Sequence, residues 1–274
     1  MIKSNAHTHT IFCDGKNTAE EMINEAINLG FKSLGFSFHS PMPYENDYAI
    51  KKDKVGEYYK EIERVKSIYA DKIEILNGIE MDYDSIGIVD LDKFEYIIGS
   101  VHQIHKDGKF YYLDNNAQEL KECVNEFFDG DWNLMAEHYY NLILDFVKKV
   151  KFDIVGHFDL ITKFNKDFVY FDEDNTKYLE IAKNCLDEIY SIRSDLVFEV
   201  NTGAMFRLGN TTPYPNKNLL KHMNKLGFKI MINSDSHSTN SLDFKFDEAI
   251  DYCKSCGYTS LEILTKSGFK SIDI

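Results

Sequence analysis

The sequence predicts an α/β fold in which parallel strands and crossover helices close into a barrel. Three observations carry that expectation. Short apolar runs rich in β-branched and aromatic residues alternate with longer amphipathic stretches. Such alternation means parallel strands joined by helices, and seven repeats of it favour a closed barrel over an open sheet. Polar residues, histidines above all, collect at the C-terminal ends of the strand runs, which in a parallel barrel converge on one rim.

The strand candidates are SNAHTHT (4–10), SLGFSFHS (33–40), IEILNGIEMD (73–82), YIIGSVHQI (96–104), DIVGHFDL (153–160), LVFEVNTG (196–203) and KIMINSDSH (229–237). After the first, TAEEMINEAINLG (18–30) reads as a helix. Thr18 with Glu21 three residues on is a capping-box pattern, and Gly30 supplies the stop. NKNLLKHMNKLGF (216–228) has the same form, ending at Gly227. Residues 117–151 read as one or two long helices. With four prolines and no Gly/Ser-rich stretch there is no linker, so residues 1–274 are expected to form a single domain.

The composition, 43% hydrophobic and 28% charged, is that of a globular chain able to bury a sizeable core. A net charge of −14 argues against a nucleic-acid-binding surface, which needs clustered Lys and Arg. It leaves room for a small phosphorylated substrate, because a local site can be positive on an acidic protein. No apolar run reaches the length of a membrane helix. MIKSNAHTHT lacks the apolar core of a signal peptide, so the cytoplasm is the expected compartment. The five cysteines form no disulfide framework, and Cys253–Cys256, a C-x-x-C without a second pair, reads as ordinary thiols.

The chemistry is expected on the rim. His7 and His9 end the first strand, His39 the second and Glu80 the third. His102 and His105 end the fourth, His157 and Asp159 the fifth, Glu199 and Asn201 the sixth, with Arg207 soon after. Asp235 and His237 end the seventh. Residues two apart on a strand share a face, so His7 with His9, and Asp235 with His237, can each point into one space. A lone histidine is usually a satisfied core or rim residue. Seven imidazoles with several carboxylates at matching positions instead call for a cation, because burying them without one costs several kcal/mol each. Imidazole and carboxylate without thiolate suit Zn²⁺, Mn²⁺ or Fe²⁺. His138 and His222 fall inside helices and read as surface residues, and Asp82, Asp84 and Asp90 as a solvated acidic loop.

In order along the chain, HTHT at 7–10, Asp14-Gly15, His39, GIEMD at 78–82, GSVH at 99–102, GH at 156–157 and NSDSH at 233–237 resemble the PHP (polymerase and histidinol phosphatase) family. GSVHQIH, GHFDLITKF and NTGAMFR make the chain look most like its histidinol-phosphate phosphatase branch. The resemblance implies a distorted (β/α)7 barrel with a trinuclear metal site at the C-terminal rim. It implies His7, His9, Glu80 and Asp235 on one metal, and Glu80, His102 and His157 on a second, bridged by Glu80. A third would take His39 and His237 with a residue of the 10–15 turn. Many relatives place a histidine there; this chain has IFCDG, and Asp14 is the natural substitute. His105 is expected near the substrate phosphate.

The activity so implied is hydrolysis of L-histidinol phosphate to L-histidinol and phosphate, a step of histidine biosynthesis, by in-line attack of a metal-bridging hydroxide on phosphorus. Arg207, the one arginine following a strand end on this rim, can fork onto phosphate, with Lys163 as a second phosphate candidate. Asp235 or His237 would protonate the leaving alkoxide. The rival readings are a PHP phosphoesterase acting on nucleotides or another phosphorylated metabolite, and a metal-binding domain without catalysis. An amidohydrolase-type barrel also uses H-x-H, but usually with a bridging lysine where this chain has Glu80.

Overall fold

The computed structural model describes residues 2–274. Seven strands form one sheet: β1 (Lys3–Asn5), β2 (Phe31–His39), β3 (Glu74–Asp82) and β4 (Tyr96–Ser100), followed, after a hairpin of β5 (Gln103–Lys106) and β6 (Lys109–Tyr112), by β7 (Ile154–Val155), β8 (Val197–Asn201) and β9 (Lys229–Asn233). The spatial order is β1-β2-β3-β4-β7-β8-β9, and every neighbouring pair is parallel. β1 and β9 do not pair directly. The ends of the sheet meet just beyond them, through a parallel bridge of Thr8 with Ser236 in which the His9 amide donates to the Ser236 carbonyl at 2.8 Å. The result is the nearly closed seven-stranded parallel barrel expected from the alternation.

The α-helices among the described residues are α1 (Ala19–Asn28), α2 (Val55–Ile68), α3 (Ala117–Phe128), α4 (Trp132–Lys149), α5 (Thr176–Ile192), α6 (Gly203–Leu208), α7 (Lys217–Leu226) and α8 (Phe246–Ser255). Thr18 and Glu21 make the reciprocal capping box of α1. Gly227 closes α7 in the left-handed conformation at φ 92°. The 117–151 stretch is two helices, broken where Asp129 and Gly130 both take positive φ.

Several expected strands are shorter than their sequence runs, the seventh by its last four residues and the sixth by its last two. The first ends at Asn5, the fifth is only Ile154–Val155, and the fourth stops at Ser100. The run to 104 continues instead into the antiparallel hairpin β5–β6. Alternating apolar residues are equally at home in a hairpin, so periodicity alone cannot tell where one sheet ends. A C-terminal antiparallel hairpin, β10 (Ser260–Thr265) with β11 (Gly268–Asp273), lies outside the seven expected strands. Ser4 of β1 and Ser33 of β2 donate to the Leu264 carbonyl of β10, so this hairpin lies against the N-terminal end of the open seam.

The barrel interior is filled by Ala6, Leu76, Tyr96, Ile98, Ile154, Val197, Met231 and Leu264. Tyr96 is the largest of these, and its hydroxyl donates to the Ala6 carbonyl at 2.6 Å. Its ring lies so close to Gly78 that a Cβ there would meet it at 2.1 Å. Glycine in GIEMD thus makes room for the aromatic plug from which the cluster-bearing end of β3 emerges. The much larger apolar layer between strands and helices holds the barrel from outside.

Candidate metal centre

Glu80, at the end of β3 and 1% exposed, stands among five imidazoles. Its Oε2 lies 2.8 Å from His39 Nδ1, 3.2 Å from His7 Nε2 and 3.6 Å from His9 Nε2. Its Oε1 lies 3.0 Å from His157 Nε2 and 3.4 Å from His102 Nε2. Across the seam, Asp235 Oδ1 is 3.3 Å from His9 Nε2 and 3.7 Å from His7 Nε2. Asp235 takes positive φ (49°), an uncommon conformation for a non-glycine residue, and one found concentrated at functional sites. Asp14 Oδ2 lies 3.1 Å from His237 Nε2, and its Oδ1 3.7 Å from His39 Nε2.

Three sets of donor atoms converge closely enough to hold a cation: His7, His9 and Asp235; His39, Glu80 and His102; and His9, Asp14, His39 and His237. The sharing differs in detail from the sequence expectation. His39 approaches Glu80 as well as Asp14, and the His9 ring stacks on His237 with centroids 4.1 Å apart. His157 meets the cluster through Glu80.

Charge and hydrogen bonding fit a metal. His7 Nε2, His9 Nε2 and Glu80 Oε2 are buried and have no hydrogen-bond partner, although they lie close together. Buried polar atoms are rarely left so, and atoms that point at one another without bonding have the form of ligands awaiting a cation. Burial, with His237 and His39 nearby, lowers the His9 pKa to about 3, so its ring is neutral and offers a lone pair. Burial works against ionised Glu80, yet His7, His39 and His102 hold its pKa well below the usual range.

A second ring of residues orients the first. His7 Nδ1 is 2.7 Å from Glu199 Oε1, and His102 Nδ1 is 2.8 Å from Asp82 Oδ2. Carboxylates at the far nitrogen of an imidazole fix its tautomer and aim its other nitrogen. Glu199 is fully buried and is held by Asn233, Asn201 and the His157 amide. Asp82 is a correction to the sequence reading: it is 3% exposed and is a partner of His102, not part of a solvated loop. Gln103 completes its setting. In the amide orientation that satisfies both ends, Gln103 donates to both Asp82 oxygens at 3.0 and 3.1 Å and accepts from Tyr48 Oη at 2.7 Å. The signal for Asp82 was its place two residues beyond Glu80, on the same face of β3.

Arg207, on α6, reaches the cluster as a fork. Its Nη2 lies 2.6 Å from Asp235 Oδ2, and its Nη1 donates to the Asp235 carbonyl at 3.0 Å. Gly203 makes this possible, since a Cβ there would meet the guanidinium at 2.8 Å. A cavity of about 460 Å³ opens above the cluster, within the range of small-molecule sites. Arg207, Lys163, Asp14 and His237 line it, as does Lys16, which the sequence reading did not single out. Lys163 is tied to Asp114, at 2.8 Å from its carbonyl and 3.1 Å from its carboxylate.

Other candidates lie elsewhere. His105 sits on β5, 46% exposed, paired with Asp84 and stacked on Phe110, and is not among the cavity-lining residues. Asp84 is accordingly engaged rather than solvated. Asp159 turns from the rim to accept the Asn216 amide at 2.7 Å. His138 and His222 are partly buried on α4 and α7, the latter bonded to Asp187 at 2.7 Å, and so are less exposed than expected. Cys253 and Cys256 are buried free thiols.

A profile of the PHP domain matches residues 5–203. The chain belongs to the PHP family. Among curated proteins, this PHP chain is 28% identical to a Schizosaccharomyces pombe protein provisionally named a histidinol-phosphatase, over 97% of this chain and 90% of that one. It is 27% identical to the histidinol-phosphatase of Bacillus subtilis, over 92% and 100%. Its fold superposes with a TM-score of 0.69 on histidinol phosphate phosphatase from Lactococcus lactis, solved with zinc, L-histidinol and phosphate; identity is 20%, and the match covers 98% of this chain and 100% of that one. No helix among the described residues is long and apolar enough to cross a membrane.

Proposed function

We propose that this PHP domain, a single domain acting in the cytoplasm, is a metal-dependent phosphomonoesterase that hydrolyses L-histidinol phosphate to L-histidinol and phosphate. The observation that carries the reading is the shared carboxylate of Glu80 within 3.6 Å of five imidazoles, beneath a cavity lined by Arg207 and Lys16. Support for the substrate comes from end-to-end relatives named histidinol-phosphatase and from the L. lactis complex. Nitrogen and oxygen donors without thiolate suit Zn²⁺, Mn²⁺ or Fe²⁺. The reading places His7, His9, Glu80 and Asp235 on one of three ions, Glu80 with His102 and His157 on a second so that it bridges the two, and His39, His237 and Asp14 on a third. Bound there, divalent cations supply an activated water and neutralise the phosphoryl oxygens.

The chain's own residues do the rest. Arg207 and Lys16 hold the phosphoryl oxygens in the cavity. Glu199 and Asp82 keep the His7 and His102 rings aimed inward. Burial would raise the Asp235 pKa, but Arg207, His7 and His9 hold it well below the usual carboxylate range. Asp235 is thus a poor acid, so of the two candidates His237, a cavity-lining imidazole, could protonate the departing alkoxide only while it is not itself holding a metal.

The test is phosphate release from a panel of phosphorylated metabolites, with metal content measured in parallel. Histidinol phosphate is expected to show the highest kcat/KM. A nucleotide or sugar phosphate turned over faster would replace it as substrate and leave the phosphomonoesterase reading standing. Arg207→Ala is expected to raise KM tenfold or more, about the value of a charge-assisted contact, with metal content intact. Unchanged KM and kcat would remove Arg207 from the site.

A further inference from the structure

The cavity has a second wall with its own chemistry. It is built from the β2–α2 connection, which carries Asp47 and Tyr48, and from the end of β6, which carries Tyr112 and leads to Asp114. The Tyr48 ring stands edge-on to His39 of the metal cluster, at 5.3 Å and 87°, and edge-on to Tyr112, at 5.8 Å and 90°. Its hydroxyl is held by Gln103, so this aromatic wall abuts the reaction centre and is fixed in place. Asp114 is neutralised by Lys163 at 3.1 Å. Asp47 is different: among the described residues it lines the cavity with neither an ion pair nor a side-chain hydrogen bond.

An exposed, unpaired carboxylate on a cavity wall that also carries tyrosine rings attracts a cation by its charge, and ring faces that open to the cation add their quadrupoles. The cavity is therefore bipolar, with Arg207 and Lys16 drawing an anion and Asp47 drawing a cation. A substrate with a phosphate at one end and a protonated nitrogen at the other can enter such a cavity in only one favourable orientation, with phosphorus at the metals.

We propose that Asp47, with the Tyr48 and Tyr112 rings, forms the specificity subsite for the cationic, non-phosphate part of the substrate. The inference rests on the proposed phosphatase activity and adds to it the residues that choose the ester.

The experiment compares wild type, Asp47→Asn and Asp47→Glu on two esters: histidinol phosphate, and p-nitrophenyl phosphate, whose leaving group carries no cation. Calorimetric binding of L-histidinol is measured alongside. In Asp47→Asn the ratio of kcat/KM for the two esters is expected to fall about tenfold, mostly through KM, and L-histidinol binding to weaken to match. Asp47→Glu is expected to recover part of both. An unchanged ratio with unchanged L-histidinol binding would overturn the subsite. If the wild type does not prefer histidinol phosphate, the activity reading fails by itself. The same variants assayed on phosphoethanolamine against p-nitrophenyl phosphate then decide the subsite separately: a falling ratio supports it and a constant one overturns it.

Discussion

At the scale of single residues, Glu80 is buried at the centre of the cluster. Both its oxygens face imidazole nitrogens, and its one carboxylate lies within 3.6 Å of five rings. Glu80→Ala is expected to lose at least one equivalent of metal and to reduce kcat by about a thousandfold or more, on the scale of losing a group that acts in the transition state. Elemental analysis of the purified variant alongside its kinetics is the check, and full metal content would refute the bridging role. Asp82 and Glu199 show how chemistry extends beyond the ligands. Each binds the far nitrogen of one imidazole, and the only sequence signal for either is its place at a strand end, Asp82 two residues beyond Glu80 on the same face.

At the scale of elements, the barrel works by delivering the ends of distant strands to one place, and the connections must then be anchored. The segment after β7 is anchored to the start of α7 by Asp159, which is 1% exposed. Burial, aided by Glu173 and opposed by the Asn216 amide, raises its pKa to about 7. An unfolded Asp releases its proton near 3.9. Between about pH 4 and pH 7 the folded chain therefore holds a proton that the unfolded chain has lost, and stability from this group falls as pH rises through that window. The full penalty above pH 7 is of the order of a few kcal/mol. Asp159→Asn mimics the protonated acid, so its Tm relative to wild type is expected to be higher at pH 8 than at pH 5. Equal differences at the two pH values, by thermal unfolding, would show that Asp159 does not titrate in this window.

At the scale of the whole molecule, every barrel strand has a stake in the centre. His7 and His9 follow β1, His39 ends β2, Glu80 ends β3, His102 follows β4, His157 follows β7, Glu199 lies on β8, and Asp235 and His237 follow β9. The seam between β1 and β9 is bridged by only a few backbone hydrogen bonds. A cation shared by His7, His9 and Asp235 would link its two sides. Chelation is therefore expected to lower Tm by about 5 °C or more, since ligand at a hundred times its Kd adds about 2.7 kcal/mol of stability. Restored zinc should return it. An unchanged Tm in protein shown to be metal-free would mean that the seam holds by itself.

By itself, the sequence determined the parallel strand–helix order, the capped ends of α1 and α7, and that histidines and acids gather at the strand ends. These follow from local periodicity, from turn chemistry and from the rule that strand ends converge. The short motifs, in their order, also carried the family. Only the tertiary structure decided that His39 approaches Glu80 as well as Asp14, that Asp82 belongs to His102, and that His105 stands apart on a hairpin. Those outcomes depend on distances between strands that are far apart in the chain, and on where a sheet stops and a hairpin begins. Neither is encoded in the pattern of any one segment. The cavity is of the same kind, because Asp47 and Arg207 line one space only once the barrel has closed.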